Sequence, residues 1–143
     1  MSKLQNFKSS SHCRYLILYH IIFVCKYRHK VFQNHEFAEL LKIKLHEIAK
    51  NYDFDIVSLE LDYSKPDHIH FLIQGTPTLS PAQIVRVLKQ ESTYWAWQNF
   101  ENYLKQFYWK KHKLFTSGYY CATCGNVSAD KIKEYLEEQG SKC

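Results

Sequence analysis

Between Pro66 and Ile73 the chain reads Pro-Asp-His-Ile-His-Phe-Leu-Ile, and the alternation around His68-Ile69-His70 constrains its fold more than any other stretch. A period of two belongs to a strand, where residues two apart share a face with Cα atoms roughly 6–7 Å apart. Ile69, Phe71 and Ile73 then need an apolar layer over them, and His68 and His70 fall together on the opposite surface. Two neutral imidazoles held this way are a ready pair of metal ligands. An arbitrary His-x-His on a strand is equally well a plain polar face.

The remaining segments supply the missing layer. Residues 15–25 are β-rich and nearly continuous in apolar side chains, which predicts a central strand. Asn34 is placed to cap a helix over 35–52, where Phe37, Leu40, Leu41, Leu45, Ile48 and Tyr52 recur at helical spacing. Residues 56–61 read as a strand with Val57, Leu59 and Leu61 on one face and Ser58, Glu60 and Asp62 on the other. The segment 63–67, with Pro66, turns into the histidine strand. Ser80-Pro81 starts a second helix, which carries Ile84, Leu88 and Trp95 inward and Arg86 and Lys89 outward. Residues 99–114 are rich in Lys and aromatics without a clean period, and strand character returns over 115–123. Gly125 breaks that strand, Ser128 caps, and 131–139 form a last helix. Strand, helix, strand, strand, helix, strand, helix is an α+β order. It predicts a ferredoxin-like (RRM-like) antiparallel sheet with helices on one face and one added C-terminal helix.

Composition narrows the class. A chain of 143 residues with 45% hydrophobic content reads as one domain, 1–143, with a polar N-terminal segment over 1–11 and no secretion signal there. The apolar run 15–25 is interrupted by His20 and falls short of the roughly 20 residues a membrane helix needs, so no membrane association is expected. Five cysteines at 13, 25, 121, 124 and 143 lack regular spacing, which suits a reducing cytoplasm. Cys121-Ala122-Thr123-Cys124 has no second pair to complete a zinc tetrahedron and is expected to pack within its strand. A net charge of +5 with eight further histidines fits an anionic partner such as nucleic acid, and fits a mildly basic soluble protein as well.

The last helix offers a second chemical group. In Ile132-Lys133-Glu134-Tyr135-Leu136-Glu137-Glu138-Gln139, Tyr135 and Gln139 are four apart and share a face. A tyrosine can serve as a covalent nucleophile, although its ordinary pKa near 10 leaves it mostly protonated at neutral pH. The alternative for Tyr135 is an ordinary packed aromatic beside Ile132 and Leu136.

Taken in order, these motifs carry a resemblance. Tyr19-His20-Ile21-Ile22-Phe23 with Lys26-Tyr27-Arg28, then Asp67-His68-Ile69-His70, Leu88-Lys89 with Ser92, Ser117-Gly118-Tyr119-Tyr120 and Gly125-Asn126-Val127-Ser128 lead to Tyr135 and Gln139. Over residues 12 to 139 the chain resembles the HUH single-tyrosine transposases of bacterial insertion sequences, the small IS-two-hundred type. It departs from them at Leu114-Phe115, where a tryptophan is usual, and at Cys121 and Cys124, where aliphatic or small residues are more common.

The resemblance implies a metal-dependent transposase acting on single-stranded DNA. Tyr135 would attack a phosphodiester to give a 5′-phosphotyrosine, and His68, His70 and Gln139 would bind Mg²⁺ or Mn²⁺, with Glu60 or Asp62 adding an oxygen nearby. The DNA would carry a hairpin near each element end, contacted by Lys26, Arg28, Lys30, Arg86 and Lys89 at phosphates and by exposed aromatics at bases. The resemblance also implies a homodimer that exchanges its C-terminal helix, so that Tyr135 of one chain completes the His68/His70 site of the other. The competing class is a non-catalytic single-stranded nucleic-acid-binding module on the same fold, which would place aromatics where His68 and His70 stand. A two-histidine cyclic phosphodiesterase would need two separated His-x-Ser/Thr motifs, and the chain has none.

Overall fold

The computed structural model describes residues 7–10 and 13–124. In chain order they form β1 (Lys8–Ser10), β2 (Cys13–Tyr15), β3 (Leu18–Val24), α1 (His35–Lys50), β4 (Asp55–Leu61), β5 (His68–Gln74), α2 (Pro81–Asn99), the short α3 (Glu101–Leu104) and β6 (Tyr120–Cys124). Four strands make one antiparallel sheet in the order β4-β5-β3-β6. With α1 between β3 and β4 and α2 between β5 and β6, this is the expected split βαβ arrangement.

Register decides which face each residue takes. Ile21 lies opposite Phe71, Phe23 opposite Ile69 and Tyr19 opposite Ile73, so these six point the same way from the two central strands. Phe37, Leu41, Leu45 and Ile48 of α1 and Ile84, Leu88 and Trp97 of α2 close over them as the main core. Burying each large side chain is worth about 1.5–3 kcal/mol. A one-residue slip of β5 would turn Ile69, Phe71 and Ile73 out and drive His68 and His70 under the helices. The apolar face therefore locks the imidazoles onto the other side.

The starts of α1 and α2 follow from local chemistry. The Asn34 side chain accepts from the Phe37 amide at 3.1 Å. At α2 the Ser80 hydroxyl accepts from the Gln83 amide at 3.1 Å, and the Gln83 side chain accepts from the Ser80 amide at 2.7 Å. The segment after α2 is held by its aromatics instead of by a helical repeat. The Trp97 indole donates to the Lys113 carbonyl, the Tyr103 hydroxyl to that of Val31, and the buried Tyr108 hydroxyl lies 3.0 Å from that of Leu114.

Four local expectations change. The polar N-terminal segment contributes β1, which pairs with β2, and Lys8 forms an ion pair with Asp55 at the start of β4. Helix α1 ends at Lys50, leaving Tyr52 beyond it, where its hydroxyl donates to Glu91. The register of β4 jumps between Ile56 and Ser58, and the extra residue, Val57, packs on the far face with Leu18 and Leu72 instead of joining Leu59 and Leu61. Regular pairing of the last strand begins at Tyr120, while Phe115 makes one isolated bridge to Cys25 and Gly118 lies in the gap. The C-terminal helix expected over 128–139, with Tyr135 and Gln139, lies outside the described residues.

Candidate active site

The two histidines stand together on the sheet face opposite the one that α1 and α2 pack against. His70 lies opposite Ile22 of β3 and Glu60 of β4, and His68 lies opposite Val24. Their rings are 4.9 Å apart at 72°. Far from being surface groups, they are buried, at 1% and 2% exposure. Among the described residues neither nitrogen of His70, nor Nε2 of His68, has a hydrogen-bond partner. Buried polar nitrogens without partners are costly, so each calls for a partner beyond the described residues.

The surroundings set the protonation of the pair. Desolvation, reinforced by the charges of His68 and His20, pushes His70 down to about 4, with Asp62 opposing more weakly. At neutral pH His70 is a neutral imidazole, the form that donates a lone pair to a metal. His68 Nδ1 lies 2.7 Å from Asp67 Oδ1, and Arg28 Nε donates to Asp67 Oδ2 at 3.1 Å. Desolvation alone would raise Asp67, but the hydrogen bonds from His68 and Arg28, with their charges, outweigh it and hold the carboxyl below its usual range.

Sequence reasoning gave His20 no role in the site. Its ring lies parallel to that of His70 within 18°, at 6.0 Å, and meets Tyr120 edge-on at 5.4 Å. The only local signal was a polar residue interrupting the apolar run of β3, and it takes the β3–β5 register, with His20 opposite Leu72, to bring it to the histidine face. Glu60 and Asp62 do not complete a cluster. Among the described residues no three of His, Cys, Asp and Glu gather closely enough to hold a metal. Two adjacent imidazoles fit a divalent metal as part of a donor set, with at least one further donor to come from elsewhere. Cys121 and Cys124 pack as expected, opposite Ile21 and Leu18, and three residues apart on one strand they face opposite sides.

The basic residues divide. Lys26, Tyr27, Arg28 and Lys30 follow directly from β3, whose last residue, Val24, lies opposite His68, so this segment flanks the pair. Tyr27 is 70% exposed, with the Lys26 ammonium 5.0 Å from its ring, and Lys30 is exposed. Arg86 projects from α2 as expected. Lys89 does not. Its ammonium turns inward, donates to the carbonyls of Thr116 and Gly118 at 2.7 and 2.8 Å, and sits over the rings of Phe23 and Tyr119. Three donors satisfied by fixed carbonyls and ring faces outweigh the solvent exposure that helical spacing suggested. A cleft of about 430 Å³ lies beside α2, lined by Lys89, Tyr94, His112 and Thr116 among others. It contains neither His68 nor His70.

A ferredoxin-like sheet with a buried histidine pair on the face opposite α1 and α2 does not fix a function by its fold alone. Residues 13–139 match the family described as Transposase IS200 like. The ISDra2 transposase TnpA of Deinococcus radiodurans is 32% identical over 130 residues, 90% of this chain and 87% of that protein. The transposase for insertion sequence element IS200 of Salmonella typhimurium is 29% identical over 132 residues, 92% of this chain and 82% of its own length. A solved transposase structure from Deinococcus radiodurans R1 superposes with a TM-score of 0.72 at 32% identity, covering 92% of this chain and 97% of that one. A REP-associated tyrosine transposase bound to a REP hairpin shares the fold, with a TM-score of 0.56 at 12% identity, 91% of this chain and 68% of that one. The chain belongs to the IS200-like transposases. No described helix is long and apolar enough to cross a membrane.

Proposed function

We propose that this transposase cleaves and rejoins single-stranded DNA at insertion-sequence ends through a covalent bond to Tyr135. The observation that carries the reading is the buried pair His68 and His70, with ring nitrogens that have no partners among the described residues and one ring kept neutral by its surroundings. A non-catalytic binding module has no use for such a pair. His68, His70 and Gln139 are the residues that would hold Mg²⁺ or Mn²⁺, and a divalent ion there supplies Lewis acidity at a phosphodiester oxygen.

The chemistry is a transesterification. The Tyr135 oxygen attacks phosphorus, the bond from phosphorus to the 3′ oxygen breaks, and the proton lost by tyrosine is balanced by the one gained at the freed 3′-OH. A 3′-OH then attacks the 5′-phosphotyrosine, restores the diester and returns the proton to Tyr135. One diester is exchanged for another at each step, so no nucleotide hydrolysis is needed. The DNA we propose carries a hairpin near each end, the kind of ligand named for the REP-associated relative of the same fold. Lys26, Lys30 and Arg86 are its phosphate contacts, and Tyr27 beside the pair is a base-stacking candidate.

Denaturing electrophoresis of the protein with labelled single-stranded ends, with and without Mg²⁺, tests the reading. Wild type should give a covalent adduct, whereas Tyr135→Phe should bind DNA and give none. His68→Ala or His70→Ala should cut cleavage by at least about 10²-fold, the scale of losing a catalytic electrostatic contact, with binding nearly unchanged. An adduct on Tyr135→Phe would move the nucleophile, and undiminished cleavage by the histidine variants would remove the metal pair.

A further inference from the structure

The turn that leads into β5 carries a carboxylate whose two oxygens serve different partners. One lies against His68 Nδ1 at 2.7 Å, and the other accepts from Arg28 Nε at 3.1 Å. The Asp67 backbone is fixed as well: its carbonyl accepts from the Cys25 amide at 2.8 Å, and its amide donates to the Lys65 carbonyl at 2.9 Å. An ionised carboxylate only accepts hydrogen bonds, so the 2.7 Å contact places a proton on His68 Nδ1. The other nitrogen, Nε2, is the one buried without a partner among the described residues.

The far end of this chain of contacts is held by unusual backbone. Tyr27 and Arg28 have φ of 61° and 54°, the left-handed region, with no glycine at either position. Such conformations persist where the surrounding structure over-determines them, and they cluster at functional sites. The Arg28 amide donates back to the Cys25 carbonyl at 2.8 Å, and the Cys25 amide holds Asp67. One tight turn thus grips Asp67 by its backbone and by its side chain.

We propose that Arg28 and Asp67 are positioning residues that fix the Nδ1–H tautomer and the ring plane of His68, presenting Nε2 to the divalent metal. Arg28 is thereby assigned to the metal pair instead of to DNA phosphate. The inference rests on the metal reading given above, and partners of this kind typically change metal affinity about 10–100-fold when removed.

Long-range ¹H–¹⁵N spectra of full-length, metal-free protein labelled at histidine read the tautomer without any activity. Wild-type His68 should be protonated at Nδ1, and Asp67→Asn should lose that uniform state. Mn²⁺ titration followed by electron paramagnetic resonance should show affinity falling about 10–100-fold in Asp67→Asn. Arg28→Ala should give a smaller loss that Arg28→Lys partly restores. If Asp67→Asn does not fold, Arg28→Ala reads the same two quantities, because Arg28 is exposed. A wild-type His68 protonated at Nε2 would overturn the proposal. So would Mn²⁺ binding that is tight in wild type and unchanged in the folded variants. Wild-type protein that binds no Mn²⁺ would instead overturn the metal reading, and this proposal with it.

Discussion

Tyr27 and Arg28 show how a few side chains set the terms for the whole site. Their left-handed backbone costs roughly 1–2 kcal/mol per residue, and no glycine relieves it. The cost sits beside a histidine pair whose burial is itself destabilising, so stability has been given up here for geometry. His70 makes this measurable through pH. In the unfolded chain it titrates near the ordinary 6.5, whereas in the folded chain it stays neutral down to about 4. Between those values the unfolded state binds the extra proton, so stability should fall as pH drops from 6.5 to 4 and lose nothing more from this residue below 4. Burial lowers His20 also, with the same sign. Urea denaturation of metal-free protein across this range should give a shallower slope for His70→Gln than for wild type. Equal slopes would mean that His70 accepts its proton freely in the folded state.

At the scale of elements, the connection between α2 and β6 depends on Lys89. The segment 115–119 makes few sheet contacts of its own, with one bridge at Phe115 and the Thr116 amide donating to the Val24 carbonyl. The Lys89 ammonium joins it to α2 through two carbonyls, and burial lowers the lysine's pKa. Lys89→Met keeps much of the stem's packing but leaves the carbonyls of Thr116 and Gly118 without their charged donor. The expected loss is about 1.5–3 kcal/mol in urea unfolding, the range for hydrogen bonds to charged groups. Arg86→Met, one turn earlier and exposed, should change stability by no more than about 0.5 kcal/mol. Equal small effects would show that the Lys89 contacts contribute nothing to stability. The bulge at Val57 acts at the same scale: one extra residue diverts an apolar side chain to the histidine face, where it closes a small cluster with Leu18 and Leu72.

At the scale of the whole molecule, the described residues supply two imidazoles and no third carboxylate, thiolate or imidazole in a metal-ready cluster. In the proposed reading Tyr135 and Gln139 complete the site, and the segment carrying them would come from the same chain or from a second copy. Exchange of one element between protomers is a low-cost route to a dimer. Mixing decides between the two. A chain carrying His68→Ala and His70→Ala is combined with a Tyr135→Phe chain, each inactive alone. With exchanged helices, one site of the heterodimer pairs intact histidines with an intact tyrosine, and cleavage should return on mixing. With each helix on its own chain every site lacks a component, and a confirmed heterodimer would stay silent. Restored cleavage with incomplete strand transfer is the expected result, because only one of two sites works.

The linear chain carried whatever has a local period or a local partner. Alternation around His68 and His70 set them opposite Ile69, Phe71 and Ile73, and Asn34 and Ser80-Pro81 marked the two helix starts. These signals survive because burial of one face and capping of one end act over a few residues. Which residues meet across the sheet was decided by tertiary structure. His20 reaches His70 only through the β3–β5 register, and Arg28 reaches Asp67 across 39 residues of chain. Lys89 turned inward because carbonyls from a distant segment were there to receive it, and Val57 changed face because of a bulge. A hydrophobic period says which side of an element is covered, but not what covers it. Long-range pairing between elements supplies the partners, and here it turns two histidines on a strand into a buried pair with Asp67, Arg28 and His20 around it.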